Sequence, residues 1–246
     1  MCLAVADLPN VYVERLESML RRHMPVPFEL ICAVDHDRRL PPSIRTLNVA
    51  DWPPPRKGMR PTTYKLNLFD LERMPFHEFL YLDTSLVIRR NMADLLEFAF
   101  GQPHDLVIVK DWNYDAFNTS VMRIRHSAEL AEIIRDYEAG VAFPQRVPGD
   151  QDFVTGVIRH RALQSHVVTF PEGMVACYGK NRRLSKVNRR AAYEALEKAT
   201  IVKFNGHPKM DELIDPRYRL RQMWKTKNPF HRRAWFWVKE AKRLWR

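Results

Sequence analysis

The sequence predicts an α/β fold in which a mostly parallel central sheet is flanked by helices. Two observations predict it. Short apolar runs of strand type alternate along the chain with amphipathic stretches of helical period, and polar residues directly follow several of these runs, as they do at the carboxyl ends of parallel strands. The 246 residues, 46% hydrophobic and 28% charged, suit one large α/β domain or two small ones and are sufficient for a hydrophobic core.

The individual elements follow from the spacing of their apolar residues. Val13, Leu16, Met19 and Leu20 recur at helical spacing, which predicts an amphipathic helix over residues 10–23. Further helices are predicted at residues 62–71, 92–100, 128–138 and 191–198. Short apolar runs predict strands at residues 28–34, 79–82, 86–88, 106–109, 121–124, 167–170 and 201–204. The basic segment between the last helix and its preceding strand, residues 180–190, is expected to be irregular and solvated.

Three acidic residues, Asp35, Asp83 and Asp111, stand just after predicted strands. Because the carboxyl ends of parallel strands share one edge of a sheet, the three carboxylates are expected to converge on one rim, where ligands of such sheets bind. The alternative is that each carboxylate caps a turn or a helix, which is a common role for Asp. The equivalent placement of all three favours a site.

The longest motif is FLYLDTSLVIRRNMADLLEF, at residues 79–98. An apolar strand runs into Asp83-Thr84-Ser85 and resumes directly afterwards. This segment resembles the strand–DxD–strand segment of nucleotide-sugar glycosyltransferases with the GT-A fold, of the glycosyltransferase family 8 type and its bacterial relatives. The resemblance implies a GT-A-type, Rossmann-like domain over residues 1–216, with the donor site at the polar interruption.

Four further stretches resemble the same family in the same order. They are KLNLF at residues 65–69, AFNTSVM at 116–122, GDQDF at 149–153 and IVKFNGHPK at 201–209. In the family, these segments respectively face the phosphates, line the sugar pocket, face the sugar and acceptor, and close over the diphosphate. Each match alone is weak, but five in order make the resemblance specific.

The strand ends and the resemblance together assign roles to individual residues. The implied donor-binding residues are Asp35, Lys65, Asp83, Ser85, Asp111, Asn118, Lys203, Asn205, Gly206 and Lys209. The implied catalytic residues are Asp150, Gln151 and Asp152. The two carboxylates of this second set also suit the capped first turn of a helix that follows Pro148-Gly149. Asp35 suits a turn as well as it suits a ribose or base contact.

The ligands for a metal ion depart from the family pattern. Sugar transfer loads negative charge onto a diphosphate, which a divalent cation, Lys or Arg, or a helix N-terminus must offset. The family's DxD and a late His would hold Mg²⁺ or Mn²⁺. Here Ser85 replaces the second carboxylate, and Lys203 stands at one position of the late His. Either Asp83 retains a metal with Ser85 and His207, or lysines such as Lys203 carry its charge.

The resemblance also implies the reaction. It implies transfer from a nucleotide-diphosphate sugar, with UDP as the expected nucleotide, and retention of anomeric configuration. The expected acceptor is a saccharide, with a lipid-linked glycan among the candidates. An inverting reaction would need one of the carboxylates at positions 150 and 152 as a general base within hydrogen-bond reach of the acceptor hydroxyl. The sequence leaves the two stereochemical outcomes open.

The positive charge is concentrated in a tail, residues 217–246. The formal net charge of the chain is +11, and the tail contains 11 Lys or Arg against one acidic residue, together with four of the six Trp. The apolar residues that share one helical face are Phe230, Ala234, Trp237, Val238, Ala241, Leu244 and Trp245. Such a stripe opposite a cationic face predicts a helix that lies on an anionic membrane surface. Docking of the stripe on the body is the alternative, whereas the aliphatic residues disfavour a nucleic-acid arm.

Two classes of function therefore compete. The first is a glycosyltransferase, and the second is a catalytically degenerate GT-A scaffold whose tail binds a membrane or a polyanion. A sugar nucleotidyltransferase is disfavoured, because residues 1–16 contain no glycine for a phosphate loop. The three cysteines lack metal-ligand spacing and fit a reducing compartment. With the tail, this predicts a cytoplasmic protein held peripherally at the inner face of the membrane.

Overall fold

The computed structural model describes residues 1–5, 8–226 and 236–246. The strands in these residues are β1 (Cys2–Ala4), β2 (Leu30–Val34), β3 (Ile44–Asn48), β4 (Glu78–Leu82), β5 (Leu86–Ile88), β6 (Leu106–Lys110), β7 (Phe117–Arg125), β8 (Val167–Thr169), β9 (Val175–Cys177) and β10 (Ile201–Lys203). The α-helices are α1 (Asn10–His23), α2 (Ala93–Gly101), α3 (Ala128–Glu138), α4 (Asp150–His160), α5 (Tyr178–Leu184), α6 (Arg189–Lys198), α7 (Met210–Ile214), α8 (Pro216–Thr226) and α9 (Val238–Leu244). Two 3₁₀ helices span Pro61–Phe69 and Leu163–His166.

Seven strands form one large sheet. Strands β1, β2 and β3 pair in parallel, and β4, β7, β6 and β8 form a second group. Met1 joins the two groups, because its ammonium donates to the carbonyl of Leu80 at 2.6 Å and its carbonyl accepts from the N–H of Leu82 at 2.9 Å. The strand order across the sheet is therefore β3-β2-β1-β4-β7-β6-β8.

Strand β7 makes the sheet mixed, because it is antiparallel to both β4 and β6. The connection from β6 to β7 covers only residues 111–116. A link this short joins antiparallel strands, since a parallel pair needs a crossover of about a dozen residues or more. The predicted α/β architecture with flanking helices is confirmed, although parallel pairings outnumber antiparallel ones by only four to three.

A small second sheet has the order β5-β10-β9. Strand β10 is antiparallel to β5 and parallel to β9, and Lys203 is in register with Leu86 and Cys177. Directly after β10, the N–H of Phe204 donates to the carbonyl of Ser85 at 3.0 Å. The end of β10 is thereby fixed beside the polar interruption between β4 and β5.

Helices cover both faces of the sheets around two hydrophobic clusters. The first cluster contains the apolar face of α1, with α6, α7, α9 and the small sheet. The second contains the first 3₁₀ helix with α3 and α4. Both bounds of α1 and α3 agree with the prediction, since each has a continuous apolar stripe. Ser127 caps α3 by accepting the N–H of Leu130 at 3.2 Å, as expected for a serine at this position.

The prediction of an irregular segment at residues 180–190 is wrong. Most of this segment belongs to α5 and to the start of α6, which Asn188 caps by accepting the N–H of Ala191 at 2.9 Å. Its anchor is Tyr178, whose ring is buried and stacks on Phe204 with centroids 4.4 Å apart. The density of basic residues concealed a helix that is held by a few buried side chains.

Three strands were absent from the prediction, namely β1, β3 and β9. Strands β1 and β9 have three residues each, which is too short for a period to be visible. Strand β3 is mostly exposed, and among its residues only Ile44 is buried. Their pairing with longer neighbours, and not their own pattern, makes them strands.

The tail differs from the predicted membrane helix. Its described residues form two helices, α8 and α9, and Trp237 and Trp245 lie buried in the first hydrophobic cluster. Docking on the body therefore accounts for residues 236–246, and the apolar stripe of α9 is covered by the protein itself. Residues 227–235, with Phe230 and Ala234 of the predicted stripe, lie outside the described residues. No helix in the described part of the chain is long and apolar enough to span a membrane.

Candidate active site

A polar cavity of about 410 Å³ opens at the carboxyl ends of β4 and β10. Eleven of the fourteen predicted site residues line it. They are Lys65, Asp83, Asp111, Asn118, Asp150, Gln151, Asp152, Lys203, Asn205, Gly206 and Lys209. These residues come from five segments that are distant in sequence, so their convergence is a property of the fold.

Asp83 follows β4 and lies between two ammonium groups. The Nζ atom of Lys65 is 3.0 Å from its Oδ1 atom, and the Nζ atom of Lys203 donates to its Oδ2 atom. The hydroxyl of Tyr81 also donates to Oδ1, at 2.9 Å. Burial raises the pKa of Asp83, but Lys203 and Lys65 outweigh this effect and hold the pKa well below its usual range. Asp83 is therefore an ionised carboxylate with both oxygens engaged.

Lys65 bridges two carboxylates. It projects from the 3₁₀ helix Pro61–Phe69, and its Nζ atom is 3.0 Å from Asp83 and 3.0 Å from the Oδ2 atom of Asp150. The hydroxyl of Thr119 donates to that same Oδ2 atom and lies 3.3 Å from Nζ. Burial lowers the pKa of Lys65, but Asp150 and Asp83 raise it above the usual lysine range. Lys65 is thus a fixed positive charge in the lining of the cavity.

Lys203 ends β10 and donates to Asp83 and to the Oγ atom of Ser85. Ser85 does not line the cavity, but its hydroxyl is the second acceptor of this ammonium group. Asn205, Gly206 and Lys209 continue the same wall of the cavity. Gly206 has a φ of +66°, in the left-handed region where a side chain is disfavoured.

A second wall of the cavity carries amides around Asp111. The Oδ1 atom of Asp111 accepts the N–H groups of Asn113 and Tyr114 at 2.9 and 3.1 Å. Its Oδ2 atom is 3.4 Å from the Nδ2 atom of Asn118 and 3.5 Å from the Nε2 atom of Gln151. These contacts of Asp111 are with neutral groups, and the last two are long. This wall offers both donors and acceptors, which suits hydroxyl groups.

Asp152 holds the loop that precedes α4. Its Oδ2 atom accepts the backbone N–H groups of Arg146 and Val147 at 2.8 and 3.0 Å, and its Oδ1 atom pairs with the guanidinium of Arg146. Burial raises the pKa of Asp152, but these partners lower it below the usual value. Its contacts are those of a loop anchor, α4 has no side-chain cap among the described residues, and the catalytic role of Asp152 stays a prediction.

The structure does not bring Asp35 and His207 to the cavity. The Oδ1 atom of Asp35 lies 2.7 Å from the Nδ1 atom of the neighbouring His36. His207 is 74% exposed, and its Nδ1 atom lies 2.7 Å from Glu212. The proposed metal ligands Asp83, Ser85 and His207 are therefore not assembled, because the first two are hydrogen-bonded to Lys203 and the third does not line the cavity.

Comparison with known proteins identifies the architecture. The sequence matches no family model and no curated protein. The structure, however, is similar to that of the galactosyltransferase LgtC in complex with donor and acceptor sugar analogues, with a TM-score of 0.53 over 85% of this chain and 87% of that chain, at 13% identity. The chain has the GT-A glycosyltransferase fold.

Two other structures with this fold are similar over most of the chain. The glycosyltransferase GlyE of Streptococcus pneumoniae TIGR4 has a TM-score of 0.60 at 12% identity, over 98% of this chain and 63% of GlyE. Mouse xyloside xylosyltransferase 1 has a TM-score of 0.50 at 12% identity, over 83% and 96% of the two chains. At such identities the comparison establishes the GT-A fold, and the cavity residues must be interpreted from their own geometry.

Sequence reasoning missed several residues of the cavity, including Arg60, Tyr114, Thr119 and Arg146. Thr119 lies within the AFNTSVM segment, so its position was visible but its partners were not. The guanidinium of Arg146 lies 4.0 Å from the centre of the Tyr114 ring. Both residues of this pair are in irregular loops, where no periodic pattern indicates which side chains meet.

A larger cavity, of about 760 Å³, lies elsewhere, between the start of β2 and β4 and the helix α2. Its wall is mainly apolar, with Leu30, Phe79, Leu96 and Phe100 among its residues. It lacks the convergence of amides, carboxylates and ammonium groups seen at the polar cavity. Size alone would select it, but chemistry requires oriented polar groups, so the smaller cavity is the candidate active site.

Proposed function

We propose that the protein transfers a sugar from a nucleoside diphosphate sugar, with UDP as the first nucleotide to test, to a hydroxyl group of a saccharide. The observation that carries this proposal is the polar cavity at the carboxyl ends of β4 and β10 of a GT-A fold. Its ammonium groups suit a diphosphate, and its amides and carboxylates suit the hydroxyls of a sugar.

The two walls of the cavity divide the donor between them. In this proposal, the diphosphate lies against the wall that follows β10, where Lys203 and Lys209 supply positive charge. The sugar lies against the second wall, where Asn118, Gln151 and Asp111 bind its hydroxyls. The contacts of Asp111 with the two amides are long. Each of the three side chains can therefore give up such a contact and bind a sugar hydroxyl in its place.

The reaction breaks the bond between the anomeric carbon and a diphosphate oxygen, and the electron pair leaves with the nucleoside diphosphate. A bond then forms between the anomeric carbon and the acceptor oxygen, which loses its proton. Asp83 and Asp152 each pair with a cation that lowers the pKa of the carboxyl, which makes these two weak bases, and the carboxylate of Asp150 is paired with Lys65. A retaining reaction in which the departing diphosphate takes the proton fits these contacts better than an inverting reaction with Asp150 or Asp152 as the base.

Replacing Gln151 with alanine is expected to lower turnover of the donor about 100-fold, because an oriented amide at the reacting sugar is lost. The melting temperature is expected to change by less than about 2 °C, since the only contact of the Gln151 amide among those described is the long one to Asp111. The matched control is Gln164→Ala, in the exposed part of the 3₁₀ helix Leu163–His166.

Nucleotide binding is tested before turnover, by thermal shift with UDP, GDP, CMP and TDP, each with and without Mn²⁺. A ligand that binds only the folded protein raises its melting temperature. A shift with one nucleotide, followed by release of that nucleotide from its sugar conjugate in the presence of saccharides, is the expected result. Absence of any shift would contradict the proposal and favour the alternative of a degenerate GT-A scaffold.

We also propose that α8 holds the protein on an anionic membrane, which would bring it to a lipid-linked acceptor. Arg217, Leu220, Arg221 and Trp224 are spaced by three or four residues, so they share one face of α8, and all four are exposed. Trp224 is 86% exposed. Exposed Trp and Leu next to Arg favour binding to an anionic lipid surface. In this proposal, the exposed face of α8 takes the membrane-binding role that the sequence assigned to the stripe of α9.

The expected consequence is that Trp224→Ala weakens binding to vesicles containing anionic phospholipid by at least about fivefold, equivalent to about 1 kcal/mol of interfacial burial. Binding is measured by co-sedimentation, with vesicles of phosphatidylcholine alone as the lipid control. Phe100→Ala, which removes another exposed aromatic ring outside α8, is the protein control. Equal binding of the Trp224 variant and the wild type would refute the membrane role of α8.

A further inference from the structure

The three residues that the sequence offered as metal ligands do not form a site for a divalent cation. Mg²⁺ and Mn²⁺ take oxygen ligands, usually one or two free carboxylates with phosphate oxygens and water. Of the three candidate ligands, Asp83 has both oxygens bonded to ammonium groups, and Ser85 accepts from the ammonium group of Lys203. His207 is bonded to Glu212 and does not line the cavity. Two of the three candidate ligands are therefore engaged by the protein's own ammonium groups, and the third lies outside the cavity.

Lys203 is held firmly at this place. Its backbone is paired with Leu86 of β5 on one side and with Cys177 of β9 on the other, and this pairing fixes its position in the small sheet. Its side chain is only 7% exposed, which leaves the ammonium group little freedom to move away from Asp83. A fixed charge at a reacting group stabilises a transition state without reorganisation, as an inorganic cation would.

We propose that the ammonium group of Lys203 takes the place of the divalent cation, so that it binds the donor diphosphate and stabilises it as it leaves, and that sugar transfer by this protein needs no metal. This inference rests on the proposed function. An ammonium group has three N–H donors. Asp83 and Ser85 accept two of them, and the third remains for a phosphate oxygen in the cavity that Lys203 lines.

The charge of the cavity agrees with this assignment. Among the described residues that line it, five side chains are cationic and four are carboxylates, so the cavity is already suited to an anion. Lys65 offsets the negative charge of Asp83 and Asp150, and Lys209 adds a second positive charge on the wall of Lys203. A divalent ion placed beside the ammonium group of Lys203 would be repelled by it.

The test measures UDP binding, with GDP and TDP in parallel, by titration calorimetry in excess EDTA and again with Mn²⁺. The wild type is expected to bind one nucleotide in EDTA with an affinity that Mn²⁺ changes less than about twofold. Lys203→Met is expected to weaken this binding at least about tenfold, because it removes a charge-assisted hydrogen bond. Lys57→Met, at an exposed position outside the cavity, is the matched control and should bind as the wild type does.

Two further measurements keep the test decisive if Lys203→Met does not fold. The double variant Asp83→Asn with Lys203→Met removes both charges of the pair, and it is expected to fold and still bind the nucleotide weakly. The second measurement needs no variant: the electron paramagnetic resonance signal of free Mn²⁺ in a mixture with UDP should not fall when the wild-type protein is added, because the protein binds UDP without the metal.

The outcomes separate this inference from the function on which it rests. Nucleotide binding that requires Mn²⁺, a Mn²⁺ signal that the protein and UDP together abolish, or unchanged binding by folded Lys203→Met would each overturn the role of Lys203 while leaving sugar transfer in place. Failure of every nucleoside diphosphate to bind, with and without Mn²⁺, would overturn the proposed function itself, and this inference with it.

Discussion

Replacing Lys65 with methionine is expected to lower the free energy of unfolding by about 3–5 kcal/mol at neutral pH. The ammonium group of Lys65 is nearly buried and lies 3.0 Å from both Asp83 and Asp150. Removing it takes the ammonium group away from the buried carboxylate of Asp150 and leaves the largely buried carboxylate of Asp83 with Lys203, and breaking a buried ion pair from one side has this cost. Urea unfolding measures the change, and Lys57→Met is the exposed control.

The pH dependence of the same variant gives a sharper result. The pKa of Asp83 is lower in the folded protein than its ordinary value of 3.8, so its contribution to stability is present above about pH 4 and is lost as the pH falls further. The pKa of Lys65 is raised above its ordinary 10.5, so its contribution is fully present below that pH. The difference in the free energy of unfolding between the wild type and Lys65→Met is therefore expected to be constant from about pH 5 to 9 and to become smaller below pH 4.

A second variant identifies the cause of the loss. If the unpaired carboxylates cause the instability, Asp150→Asn combined with Lys65→Met should regain part of the lost free energy of unfolding, because a neutral amide needs no cation. The alternative is that Lys65 acts through packing and not through its charge. In that case, the difference in the free energy of unfolding between the wild type and Lys65→Met would stay constant down to pH 2, and the double variant would regain no stability.

The sequence predicted the polar cavity because its motifs are local. Asp83 and Ser85 adjoin one strand, and Lys203, Asn205 and Gly206 follow another, so the strand ends could be recognised and then placed at one edge of the sheet. The substitution of Lys203 for an expected metal ligand was visible in the same way. The sequence could not show that the ammonium group of Lys203 hydrogen-bonds both Asp83 and Ser85, because this depends on the distance between two strands.

The failures of prediction share a physical cause. His207 lies in a matching motif, but the orientation of its ring depends on Glu212, five residues later. The carboxylate of Glu212 hydrogen-bonds the ring outside the cavity. The catalytic role of Asp152 stays a prediction, but its contacts with two N–H groups of the preceding loop could not be foreseen, because that loop has no periodic pattern. The stripe of α9 was correctly recognised as apolar. Whether it packs on the protein core or on a lipid surface depends on the tertiary structure, because the core must leave an apolar surface exposed for the stripe to cover.

Replacing Trp237 with alanine is expected to lower the free energy of unfolding by about 3–5 kcal/mol, as truncation of a large buried side chain does. Trp237 is 1% exposed, and its ring centre lies 6.2 Å from that of Tyr178 and 6.1 Å from that of Phe204. Its backbone N–H also donates to the hydroxyl of Tyr193 at 3.1 Å. Alanine keeps the Cβ atom at this position of positive φ, so the measured loss reports the ring and not the backbone.

The comparison with Trp224 decides what the tail does. Both residues are tryptophans of the basic tail, but Trp224 is 86% exposed, so Trp224→Ala is expected to change the free energy of unfolding by less than about 0.5 kcal/mol. Stability lost only at Trp237 and vesicle binding lost only at Trp224 would divide the tail into a docked part, α9, and a membrane-facing part, α8. If instead Trp237→Ala left stability unchanged and abolished vesicle binding, the stripe of α9 would be the membrane surface, and its packing against the core would be a closed state that lipid opens.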